Sequence, residues 1–159
     1  MKTLLAFLLA FAGVGWLVFQ AGKARHASEE GATVWFYDPR SHDLCTEPRE
    51  TVPPDGDRVR AVVVAPRGQP REKKVAYLEM FGPALRDVLD GVRQARQAGR
   101  PYAGEIPARN SPFFLTNTLV RRVADADWVV ASSAEGRRIT GEWRSWRGAD
   151  GHPWEVVAP

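Results

Sequence analysis

Three histidines, one cysteine and scattered carboxylates are the groups from which chemistry could be built in this chain, and their spacing argues against most of it. His26, His42 and His152 stand far apart, without the i, i+4 partner of a helical metal pair or a neighbouring cysteine cluster, so no metal site and no cofactor are expected. The chain has no Gly-rich loop followed by Lys to cradle phosphate, and no Gly-x-Ser-x-Gly turn to expose a nucleophile, so no catalytic residue is assigned. Asp38, Glu79, Asp87 and Asp90 could pair only through the fold, and turn or solvated positions account for most of them. Cys45 is the single cysteine, which rules out an intramolecular disulfide and reads as an inert buried thiol. The best binding candidate is Arg121-Arg122 with Trp128, an anion or partner site. Adjacent strand residues point to opposite faces, so at most one of these arginines joins a given site.

The elements that would carry such a site begin with a long apolar run. No charged side chain interrupts Leu4 to Phe19, and a helix of residues 1–22 has a length of roughly 30 Å, the thickness of a bilayer's hydrocarbon core. Leu4, Phe7, Phe11, Gly13, Gly15, Trp16 and Phe19 are the expected membrane-spanning residues. The alternative is a cleaved secretory signal, with Lys2 as its positive start, but cleavage after Ala27 or Ala21 would place Arg25 or Phe19 where a small residue is needed. Residues 23–31 read as a juxtamembrane linker and residues 32–159 as one domain. A short tail before the span and a folded domain after it place that domain outside the cytoplasm, in a periplasmic or extracellular position.

Charge sharpens the picture. Lys2, Lys23 and Arg25 account for the whole formal charge of +3, and beyond them 19 basic residues balance 19 acidic ones. The domain is neutral, so the sequence pI near 9.3 is no argument for nucleic acid, which usually demands a clustered basic surface, and no such partner is expected. Basic residues are 18 Arg against 4 Lys, a bias that matches a chain rich in Ala, Gly and Pro.

Thr33 to Asp38 is β-branched and aromatic, stops at Asp38-Pro39, and can pair in a hairpin with Leu44 to Glu47. Arg58 to Val64 reads as a central strand, exposed at its start, and Lys74 to Met80 as another strand or the approach to a helix. From Pro83, Leu85, Val88, Leu89, Val92 and Ala95 form one apolar stripe that ends at Gly99, a helix with its caps. Gly99 to Pro112 lacks a period and reads as a loop, and Phe113 to Leu119 is open between a short helix begun by Ser111-Pro112 and an approach to a strand. Leu119 to Val123 and Trp128 to Ala131 suit a second hairpin. Ser132 and Glu135 have capping-box spacing for a helix to about Trp146, with Ile139, Trp143 and Trp146 on one buried face. Trp154 to Val157 closes the chain as a strand. The expected fold class is α+β: an N-terminal transmembrane helix followed by one small domain of β-hairpins with two helices.

The segments Val34 to Asp38 with Leu44, Val52-Pro53-Pro54, Val59-Arg60-Ala61, Tyr77-Leu78-Glu79, Val120 to Val123 and Trp128-Val129 are similar to those of a bacterial family of small, N-terminally membrane-anchored hypothetical proteins. The resemblance spans about residues 34–135. Many members of that family carry a cysteine pair after the third strand, where this chain has Ala65-Pro66-Arg67-Gly68, so no redox or metal role transfers. The resemblance implies architecture and no activity.

Two functional classes follow. The first is a non-enzymatic module outside the cytoplasm, held to the lipid bilayer by its N-terminal helix and packed against protein partners as an accessory subunit of a membrane or envelope assembly. The second is a membrane-tethered hydrolytic enzyme whose residues meet only in the fold. A concave pocket of convergent carboxylates would favour the enzyme.

Overall fold

The computed structural model describes residues 33–159. The expected span, with Leu4, Phe7, Phe11, Gly13, Gly15, Trp16 and Phe19, and the linker at 23–31 lie outside the described residues. Among the described residues no helix is long and apolar enough to cross a membrane. The domain is an antiparallel sheet of seven strands with a few helices, an α+β arrangement.

Strand β1 (Thr33–Tyr37) forms a hairpin with β2 (Leu44–Pro48), with Phe36 opposite Cys45. Its turn is held by the Asp38 carboxylate, which accepts from the Arg40 backbone N–H at 2.8 Å. The centre of the sheet is β3 (Val59–Pro66), whose run of Val and Ala suits burial on both faces. One edge of β3 pairs with β4 (Lys74–Phe81). The other edge is shared in tandem by β1, through Phe36↔Arg60, and by β7 (Trp154–Val156), through Val64↔Val156. Beyond β4 lie β5 (Thr118–Arg121) and the short β6 (Val129–Val130). The β3–β4 register steps from Val62↔Tyr77 to Val63↔Val75, so Ala76 is the extra residue of a bulge. Ala76 and Tyr77 consequently join the same apolar cluster, with Val62, Val64 and Trp154.

Helix α1 (Pro83–Gln97) has proline in its first turn and ends on a left-handed Gly99, φ 64°. The Gly99 N–H donates to Arg96 O and the Arg100 N–H to Ala95 O, the paired closing bonds that glycine at this position permits. Leu85 from this helix packs with Phe81 and Phe114. Phe114 lies on α2 (Pro112–Thr116), capped by Ser111 Oγ, which accepts from the Phe114 N–H at 3.2 Å. The open stretch at Phe113 to Leu119 is thus a one-turn helix running straight into β5. The described domain has three α-helices, one more than expected.

Helix α3 (Ala134–Glu142) departs from its expectation at both ends. Ser133, not Ser132, is its N-cap, accepting from the Gly136 N–H at 3.0 Å, while Glu135 turns outward to Arg138 and Arg122 instead of closing a capping box. The helix stops at Glu142, where Trp143–Ser145 tighten into a 3-10 turn, so Trp146 leaves the helix in an extended conformation. Ile139, Trp143 and Trp146 are therefore not one helical stripe. Ile139 packs on Val120 and Ala131, whereas Trp143 and Trp146 pack near Trp154, with the Trp146 and Trp154 rings edge to face at 5.5 Å. The start of β3 differs as well: Val59 is buried, and Arg60 is largely enclosed.

Candidate functional site

The Arg121, Arg122 and Trp128 set is brought only partly together. Arg121 lies over the Trp128 ring, 4.9 Å from its centroid, and donates to the Asp125 carbonyl. Arg122 points the other way, as strand alternation requires, and engages Asp125, Glu135 and Glu142. The Glu142 hydrogen bonds above all raise its pKa beyond the ordinary guanidinium value. With three carboxylates around it, Arg122 is a structural cross-link between the β5–β6 turn and α3. The other candidates disperse. Asp90 pairs with Arg93, Asp38 holds its turn, and the Tyr37 hydroxyl meets His42 Nδ1 at 2.7 Å. His152 lies 3.9 Å from Asp150, and Cys45 Sγ is 4.0 Å from Arg58 Nη1. His26 lies outside the described residues, and among those described no cluster of His, Cys, Asp and Glu is suited to a metal ion.

A different group of residues converges. A cleft of about 620 Å³ opens over the sheet, lined by β3, β4 and β5, by the start of β1 and residues 156–159, by Arg109, Asn110, Phe114 and Leu115, and by the end of α3. Arg60 and Glu79 face each other across the β3–β4 pairing and form its floor. Both belong to strands whose neighbouring positions are apolar, and both point to the face that α3 covers only in part.

Glu79 is 4% exposed. Both of its carboxylate oxygens accept from Arg109 Nη2, at 2.8 and 2.7 Å. Arg60 Nε approaches Glu79 Oε2 at 3.6 Å, beyond hydrogen-bond length, and the Arg60 side chain makes no hydrogen bond among the described residues although it is only 19% exposed. Burial foremost, and then the like charge of Arg109, hold the Arg60 pKa below its usual value against the pull of Glu79. Tyr77 stands beside them. Burial foremost, and then the Glu79 charge, push its phenol pKa well up, so it remains a neutral O–H donor throughout the physiological range. Arg144 guards the rim, 5.2 Å above the Trp143 ring, while Val62, Leu115, Val120 and Trp143 supply apolar walls.

Two guanidinium groups thus flank the Glu79 carboxylate, whose oxygens both accept from Arg109, and a third, of Arg144, lines the same cleft. The arrangement can attract and orient an anion. Its one acidic side chain among the described residues, Glu79, is held as the ion-pair partner of Arg109 and Arg60. Of its residues the sequence carried one signal, Arg60 and Glu79 at inward positions of two apolar strands; Arg109, in a loop without periodicity, had none. No protein-family model matches the chain, and no similar curated protein or solved structure was found.

Proposed function

We propose that the chain is a single-pass, membrane-anchored binding module, its domain lying outside the cytoplasm and holding an anionic partner group in the Arg60–Glu79–Arg109 cleft as an accessory subunit of a membrane or envelope assembly. The observation that carries this reading is the grip of Arg109 on both oxygens of Glu79, which leaves Arg60 as a largely enclosed cation facing the cleft, 3.6 Å from Glu79 and without a hydrogen bond among the described residues. Arg60 shares its carboxylate partner Glu79 with Arg109, so an anion that accepts hydrogen bonds from its guanidinium would be favoured against it. The anchor rests on the uncharged run from Leu4 to Phe19.

A hydrolytic site would need a nucleophile or general base with a free lone pair near the reacting atom. Glu79 is the acidic side chain lining this cleft, and Arg109 and Arg60 hold it in an ion pair, which disfavours its protonation. Binding is therefore favoured over hydrolysis.

The test is isolation of the full chain from membranes in mild detergent, with the chain mass and co-purifying proteins read by mass spectrometry. The expected result is an intact N-terminus and a protein partner that is lost in Arg60→Gln but kept in Arg122→Gln. A mature chain beginning between Ala21 and Ser28 overturns the anchor. Esterase, amidase or glycosidase activity that vanishes in Glu79→Gln overturns the binding module.

A further inference from the structure

The cleft carries enough detail to say which anion it suits, an inference that rests on the binding reading above. We infer that the group seated against Arg60 is a carboxylate on an apolar stem. At the floor, Arg60 and Arg109 set two positive charges against the single negative charge of Glu79, a surplus of one. A monoanion neutralises that floor. A phosphate dianion would overfill it and would lie beside the Glu79 carboxylate in a partly desolvated site, where like charges repel most strongly.

The donors fit the same shape. The planar guanidinium of Arg60 presents a fork that matches the two oxygens of a carboxylate, and none of its N–H groups is used among the described residues. Tyr77 faces the same cleft with a hydroxyl that also lacks a hydrogen bond among the described residues. Above these donors the walls are hydrocarbon and indole, from Val62, Leu115, Val120 and Trp143. A bare oxyanion would leave those walls wet, whereas a short apolar stem would cover them. The volume of about 620 Å³ falls within the range of small-ligand sites, and is ample for a carboxylate with several attached carbons. Arg144 at the rim would draw the anion inward before it is desolvated.

The experiment uses the full chain in nonionic detergent with arginine side chains labelled, titrated with butyrate, butyl phosphate and neutral butyramide, and followed by NMR at each Arg Nε–H. Butyrate is expected to shift the Arg60 signal saturably, with the Arg109 signal following, and butyramide to leave both unmoved. In Arg60→Gln the butyrate affinity, then read at Arg109, should fall about tenfold or more, the effect of losing charge-assisted hydrogen bonds. Should Arg60→Gln fail to fold, Tyr77→Phe serves as the second variant and should weaken butyrate several-fold. Tighter binding of butyl phosphate than of butyrate at Arg60 overturns the carboxylate inference and leaves the anion-binding module standing. If no anion moves Arg60 or Arg109, both fall.

Discussion

Glu135 shows what single side chains contribute to this domain. It bridges Arg138 and Arg122, and the hydrogen bonds from Arg138, with those from Arg122 behind them, lower its pKa from an ordinary 4.5 to about 2. A carboxylate depressed in this way contributes stability that is complete above its unfolded pKa and is lost as pH falls toward the folded value. The denaturant midpoint should accordingly drop between about pH 4.5 and pH 2, and Glu135→Gln should flatten part of that decline. Equilibrium unfolding of both proteins across that range checks it; identical slopes would show that the ion pairs are fully screened by solvent. Arg121 poses a contrasting case. Its Nε is buried without a hydrogen-bond partner among the described residues while its guanidinium lies on the Trp128 ring, so it is held by stacking and by the Asp125 carbonyl.

At the level of elements, α3 is seated on the β5–β6 region through a glycine. A Cβ placed on Gly136 would come 2.1 Å from Val130 O and 2.8 Å from Ala131 Cα, both backbone atoms that cannot turn aside. Replacing glycine by alanine inside a helix ordinarily stabilises it by about 1 kcal/mol. Gly136→Ala should do the opposite and cost roughly 2 kcal/mol or more, the scale of overpacking a close contact. Gly141→Ala, whose new carbon would meet only Arg144 Nη1 at 3.6 Å, should be neutral or slightly stabilising. Thermal melts of the two variants separate these outcomes, and equal shifts would contradict the close seating of α3. This element also shows what the sequence disclosed. The stripe from Leu85 to Ala95 and the glycine at 99 specify α1 with its ends, because periodicity and capping are local. Capping alone could not choose between Ser132 and Ser133, which differ in how the preceding strand presents them. The helical reading through Trp146 failed because the chain tightens into a 3-10 turn and leaves Trp146 extended, where its ring packs edge to face on Trp154 of the closing strand. The cleft was least legible: Arg60 and Glu79 are marked by polarity within apolar strands, but the approach of Arg109 depends on where a loop lands.

Across the whole domain, two indoles near the same cluster have different standing. Trp154 is 9% exposed and packs with Val64 and Ala76, whereas Trp143 is half-buried and forms a wall of the cleft. Trp154→Ala should lower stability by about 3–5 kcal/mol, as buried aromatic truncations do. Trp143→Ala should lower it by only about 1–2 kcal/mol, a partial share of the transfer term for a full-sized apolar side chain. Denaturant midpoints rank the two, and a larger loss at Trp143 would relocate the centre of the core. Trp154→Phe should recover much of the deficit, since the buried Trp154 indole N–H has no hydrogen-bond partner among the described residues.

The tandem placement of β7 and β1 along β3 has a topological consequence. Both run antiparallel to β3, and β7 finishes where β1 begins, so that the Trp35 indole N–H reaches the Val157 carbonyl at 3.1 Å. In space the two are the halves of one interrupted strand. The folded unit is thus close to a ring of polypeptide opened at a single point, and circular permutation is the operation its geometry invites. A short bridge from Val157 to Thr33 would heal the interrupted strand, and the exposed loop at 103–106 would provide new ends.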